Sequence, residues 1–280
     1  MIGEGLIASP ELRAQVDGMM SACADMRPED FPDWEKLLTP ENDPRNWLKK
    51  EWQRRNDCCA NSGTTGLELM LKRRRNELEE LARTWAYQQG EIIDGKFGAD
   101  SGISVPGLIK LFIKMGCTTE AKYAYNLYTR NRRQFDALQT PELLADAATR
   151  KIQGSIPAPP FKEACVHVAI GNPIQWGHWW GLTFRTETIA PGVTGRVVRN
   201  YRRSHGNGLH ATEIVWVITT PSGERMLVDA NSHNDGYFYI PEDEYEAMRD
   251  RSFNPCGSYV MLAHEDPVQQ YEAQFNWMGV

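Results

Sequence analysis

Four side chains stand out for the chemistry they could do together. Cys59 lies just before an apolar, helix-patterned stretch that begins at Gly66. A thiol at a helix start is pushed toward the thiolate by the aligned backbone dipoles. Gln53 stands six residues earlier and carries an amide able to donate toward a developing oxyanion. His210 opens a strand-like run, Thr212 to Thr219, after the glycine-bearing turn His205-Gly206-Asn207-Gly208. Asn231 follows the next strand-like run, Arg225 to Asp229, so that a hairpin turning at Pro221-Ser222-Gly223 returns it beside His210. A thiol, an imidazole to take its proton, an amide to orient that imidazole and a donor for the oxyanion are what covalent catalysis by cysteine requires. Cys58 directly precedes Cys59, and a shift of one residue would exchange them.

The elements that must position these groups divide the chain. Residues 1–50 mix short helical patterns with Pro32, Pro40 and Pro44 and read as an N-terminal arm. Residues 51–160 are helical: Leu67, Leu69, Met70, Leu71, Leu78, Leu81 and Trp85 recur near helical spacing, in one long helix or two in succession. Lys72-Arg73-Arg74-Arg75, followed by Glu77, Glu79 and Glu80, suits i,i+4 pairing on a solvated face. Gly90 to Gly107 reads as loop, Val105 to Met115 as a helix ended by Gly116, and Arg130 to Gln153 as polar helix with a start at Thr140-Pro141-Glu142. The proline-rich Ile156 to Pro160 reads as a crossover. Residues 161–280 are β-rich, with strands expected at Cys165–Ile170, Gly195–Val198, Thr212–Thr219, Arg225–Asp229 and Gly236–Ile240. His178 with Trp176, Trp179 and Trp180 is expected in a core or groove wall.

In this order the motifs resemble those of the papain family of cysteine peptidases, in a divergent prokaryotic or viral form. Gln53 to Cys59 is similar to the family's oxyanion glutamine and nucleophile. Gly208-Leu209-His210-Ala211 resembles its histidine strand, Asn231-Ser232-His233 its Asn-Ser-Trp, and Gly236-Tyr237-Phe238-Tyr239-Ile240 the strand after it. The resemblance spans residues 34 to 246 and implies an α+β papain-like fold with the active-site groove between a helical half and a β-rich half. It also implies a peptidase triad of Cys59, His210 and Asn231, with Gln53 and the Cys59 backbone N–H as oxyanion donors. Ala60 stands where the family has Trp, His233 replaces the Trp that shields the His–Asn bond, and Arg54-Arg55-Asn56-Asp57-Cys58 replaces a small, neutral segment. Asn56 stands where the family has one half of a disulfide. These departures keep open a non-catalytic subunit of a virion or other large assembly that retains the fold. A cell-wall hydrolase or amidase using the same Cys–His logic is a third reading.

Composition narrows the partners. A net charge of −6 argues against a nucleic-acid backbone as partner. No apolar run reaches the ~20 residues of a membrane span, and Met1 to Gly5 has neither the charge nor the apolar stretch of a secretion signal. The expectation is a cytoplasmic protein, or one built into a virion made there, acting on a peptide or protein and not on a membrane. The six cysteines are too sparse for a disulfide-built fold, and neither CxxC nor HExxH occurs. No metal or cofactor is expected.

Overall fold

The computed structural model describes residues 33–49, 52–179, 182–201, 208–233, 236–250 and 256–262. Positions 1–32 of the arm, and His205 to Asn207 of the turn before His210, lie outside them. The helices are α1 (Cys58–Arg75), α2 (Arg83–Ile93), α3 (Val105–Lys114), α4 (Arg132–Ala137), α5 (Pro141–Ala148), α6 (Phe161–Ala169) and α7 (Glu242–Arg249). The strands are β1 (Gly154–Pro157), β2 (Ile174–Trp179), β3 (Phe184–Ala190), β4 (Val193–Val198), β5 (Leu209–Thr219), β6 (Arg225–Ala230), β7 (Tyr237–Pro241) and β8 (Ser258–Leu262). They form one sheet in the order β1-β8-β2-β5-β6-β7-β4-β3, antiparallel except for the β4–β7 pair.

The helix starts are set by local chemistry. Thr140 caps α5 through the Leu143 N–H at 3.2 Å with Pro141 in its first turn, and Ser104 caps α3 through the Gly107 N–H at 3.0 Å. Gly116, just past α3, has φ +81, and a Cβ there would sit 2.1 Å from the Ala147 carbonyl oxygen, so only glycine fits this exit. Asn76 ends α1 in the left-handed conformation, its N–H donating to the Lys72 carbonyl.

Three buried clusters pack on the sheet, and strand alternation helps divide its side chains among them. On β8, Tyr259 and Met261 join α1, α2 and α3, whereas Val260 and Leu262 face α6. On β5, Ala211 joins the first core and Ile214 the second. Helix α1 lies against β5 and is buried from Cys58 to Leu71 except at Thr65. Gly63 and Gly66 interrupt it, each costing about 1 kcal/mol of helix propensity relative to alanine; what they accommodate bears on the site.

Two expectations are corrected. Cys165 to Ile170 is not a strand: α6 occupies it through Ala169, with Phe161, Ala164, Cys165 and Val168 at helical spacing on the second core. The β-branched alternation of Val166 and Val168 suggested extension, but the face they must bury has a period of 3.6. The basic run of α1, expected to pair with the acids that follow it, reaches oxygens elsewhere in the chain. Arg73 donates to the carbonyls of Asn42 and Ala169, Arg74 to the Asn172 side chain and Arg75 to the Thr149 carbonyl. These guanidiniums staple the C-terminal end of α1 to surrounding loops. Glu79 and Glu80 pair instead with Arg150 and Lys49. The segment Ile174–Trp179, expected only as a core or groove wall, is the strand β2 beside β5.

Candidate active site

The N-terminus of α1 meets the start of β5 and the end of β6. His210, the second residue of β5, accepts no ambiguity in its tautomer. Its Nε2 lies 3.0 Å from Asn231 Oδ1, and the His233 backbone N–H donates to the same oxygen at 3.1 Å. A backbone N–H can only donate, so the atom that His233 N–H meets is the amide oxygen; the facing Nε2 then donates to it, and in the neutral ring Nδ1 holds the lone pair. The hairpin β5–β6 makes this contact possible: Glu213 pairs with Ala230, so the residue after β6 falls level with the beginning of β5.

Two further histidines enclose the ring. His233 stacks on His210 with centroids 4.7 Å apart, and His178, its cross-strand partner on β2, meets it edge-on at 5.7 Å. Burial first, then the nearby His178 and His233, holds the His210 pKa well below the ordinary imidazole value.

The two adjacent cysteines diverge because successive helical residues point about 100° apart. Cys58 is the first residue of α1, and the Ala211 backbone N–H, next to His210 on β5, is near enough to favour its thiolate. Cys59 faces the sheet lower down, with Gln175 Nε2 3.9 Å from its sulfur. Both are wholly buried. Burial pushes the Cys58 thiol up to about 12 despite the Ala211 N–H, and it also holds the Cys59 thiol well above the ordinary value.

Gln53 is fixed from both sides. Its backbone N–H donates to the Ser232 carbonyl at 3.1 Å, its Oε1 accepts from Ser232 Oγ at 2.9 Å, and its Nε2 donates to the Arg55 carbonyl at 2.7 Å. It thus ties the segment before α1 to the Asn231–Ser232 turn. An amide nitrogen has two N–H donors, and the Arg55 carbonyl uses one. A cleft between Leu48, Asn61, Thr65 and Tyr237 reaches Asn231 and Ser232 from outside.

Sequence reasoning reads Glu213 and Asp229 as surface acids, yet both are wholly buried, and it does not single out two other buried groups, Asp57 and Gln175. Asp57, directly before Cys58, accepts from Tyr125 OH at 2.8 Å, and burial raises its pKa to about 6. Gln175 and Glu213 are direct cross-strand neighbours on β2 and β5, both wholly buried. Neither has a sequence signal, because a buried polar residue in a strand is recognised only once its cross-strand partner is known.

No protein-family model matches the chain, and no curated protein matches it in sequence. Solved structures do. Xylellain, a cysteine protease from Xylella fastidiosa, is 18% identical, with 82% of this chain and 85% of that one aligned at a TM-score of 0.55. The proform of the Amb a 11 cysteine protease, a ragweed pollen allergen, is 17% identical over 94% of this chain and 77% of its own, at a TM-score of 0.58. The bromelain protease from Ananas comosus, in complex with the E64 inhibitor, is 14% identical over 83% of this chain and 98% of its own, at a TM-score of 0.51. At these identities the likeness establishes the fold: the chain has the α+β papain-like architecture.

Proposed function

We propose that the chain is a cysteine peptidase, with Cys58 rather than Cys59 as nucleophile, His210 as the base and Asn231 as the group that orients it. The observation carrying this reading is the His210 Nε2 to Asn231 Oδ1 bond at 3.0 Å, with Cys58 at the start of the helix that packs on the same strand. The Cys58 S–H proton passes to His210 Nδ1 as the sulfur attacks a peptide carbonyl. The oxyanion takes the Cys58 backbone N–H and the second N–H of Gln53. His210 then returns the proton to the leaving amine, and water releases the acyl group. Burial favours the neutral thiol–imidazole pair over the ion pair, so proton transfer accompanies attack. Peptides or proteins are the substrates, and residues 51–160 and 161–280 supply the two walls of the groove.

The test is a pair of serine substitutions. Cys58→Ser abolishes hydrolysis of a peptide library and labelling by a thiol-directed epoxide, whereas Cys59→Ser retains both. Retention of both by Cys58→Ser rejects the assignment.

A second reading is a non-catalytic subunit of a virion or other large assembly. It is favoured by one observation: Cys58 and His210 have no exposed surface. Under that reading the wild-type chain leaves every library peptide intact, and Cys58 labels no faster than the other buried thiols.

A further inference from the structure

The interface between α1 and the sheet holds a polar layer that the proposed chemistry leaves unused. Gln175 and Glu213 rise from the same face of β2 and β5 as direct cross-strand partners. They press into the two glycines of α1. A Cβ on Gly63 would lie 2.6 Å from Gln175 Oε1, and one on Gly66 would lie 2.3 Å from Glu213 Oε1. Positions three apart on a helix are neighbours, with Cβ atoms ~5–6 Å apart, so the two oxygens bear on adjacent points of one surface.

Both groups are incompletely satisfied as drawn. Gln175 Oε1 and both carboxyl oxygens of Glu213 are enclosed and receive no hydrogen bond among the described residues. The three acceptor oxygens lie in one buried layer and face no protein donor among the described residues. Gln175 Nε2 is fully occupied: it donates to Ser62 Oγ at 2.6 Å, lies 3.4 Å from the Cys59 carbonyl oxygen and 3.9 Å from the Cys59 sulfur. Its amide therefore grips the first turn of α1, the turn that begins with Cys58.

We propose that Glu213 is a positioning residue carried as the neutral acid, whose O–H donates to Gln175 Oε1 and so orients the Gln175 amide that holds the first turn of α1. The O–H supplies the missing donor and leaves no unpaired charge in the core. The groups acting on Glu213 agree with this state. Burial and the Asp229 carboxyl on β6 both favour its protonated form, and the Cys59 thiol on α1 is the other titratable group beside it. The two helix glycines thereby acquire a reason: they make room for a hydrogen-bonded pair of side chains under the nucleophile's turn.

The hydrogen bond stands independently of the peptidase reading; its effect on reactivity rests on that reading. Two measurements separate them. Difference infrared spectra of wild type and Glu213→Gln at neutral pH read the carboxyl directly. The wild type shows a protonated carboxylic-acid band that the variant loses; a difference spectrum showing only an ionised carboxylate overturns the proposal. Iodoacetamide labelling mapped by mass spectrometry reads the positioning. Glu213→Leu, which keeps volume but has no donor, slows Cys58 labelling on the order of tenfold or more, the penalty of a displaced reacting group. Glu213→Gln, whose amide still donates to Gln175 Oε1, restores the wild-type rate and pH profile. Equal Cys58 labelling in wild type and Glu213→Leu, with both folded by thermal melting, overturns the positioning role. If wild-type Cys58 labels no faster than the other thiols while the acid band is present, the peptidase reading fails and the hydrogen bond survives.

Discussion

The imidazole of His233 lies over that of His210, centroids 4.7 Å apart and planes 26° from parallel. A second titratable ring thus occupies the position that would shield the His210–Asn231 bond with a neutral one. Burial first, then His178, and then the charge on His233 lower the His210 pKa. In His233→Phe the stacking stays and the charge goes, so the His210 pKa rises. An NMR titration of the imidazole resonances reads the shift, and an unchanged His210 midpoint contradicts the electrostatic account.

Asn231 Oδ1 serves two donors, the His210 ring and the His233 backbone. Asn231→Ala strands both in a buried site, a loss of about 1–3 kcal/mol. Denaturant unfolding measures it. Hydrolysis falls further than stability, because the imidazole loses its orientation; a variant with wild-type turnover contradicts that role.

Asp229 and Glu213 are buried carboxyls whose pKa values are raised well above 3.8 and 4.5, respectively, chiefly by burial. A raised carboxyl stabilises the fold fully below its unfolded value, and that contribution is lost as pH rises toward its folded value. Asp229→Asn keeps an oxygen for the Thr212 hydroxyl, which donates at 2.7 Å, and cannot ionise. Its melting temperature relative to wild type increases from pH 5 to pH 9. A constant difference across that range rejects the linkage.

Gly66→Ala is destabilising, although an alanine in an open helix gains about 1 kcal/mol over glycine. The new methyl meets Glu213 Oε1 and Met261 Cε, both at 2.3 Å, and such overpacking costs about 1–3 kcal/mol. In a Glu213→Ala background the carboxyl part of that clash is absent and the helix gain returns. Chemical denaturation of the four proteins in the cycle gives the coupling; additivity contradicts the packing argument.

The fold was legible where one residue type does one job. His210-Ala211 at a strand start and Asn231-Ser232 after the next strand locate a hairpin, and the β5–β6 register joins them. Spacing from Gln53 favours Cys59, whereas the start of α1 at Cys58 is what supports the proposal of Cys58; spacing along the chain does not fix where a helix begins, and so does not choose between adjacent residues. The identity of α6 was hidden for a related reason: valines that favour extension lie in a segment whose buried face has helical spacing. Gln175 and Glu213 are unremarkable polar residues until β2 and β5 are paired.

The position of β8 has a consequence for how the chain is made. This strand, the last described in sequence, lies between β1 and β2 rather than at an edge. Tyr259 and Met261 complete the core around α1, and Val260 and Leu262 complete the opposite one. During synthesis α1 therefore leaves the ribosome nearly two hundred residues before the strand that covers its flank. Cys58 and Cys59 remain in an unfinished interior until β8 has emerged. A nascent chain stopped at residue 255 has a gap between β1 and β2, and pulse proteolysis would cleave it while sparing a chain released after residue 262. Completion of the core is thereby tied to the arrival of β8.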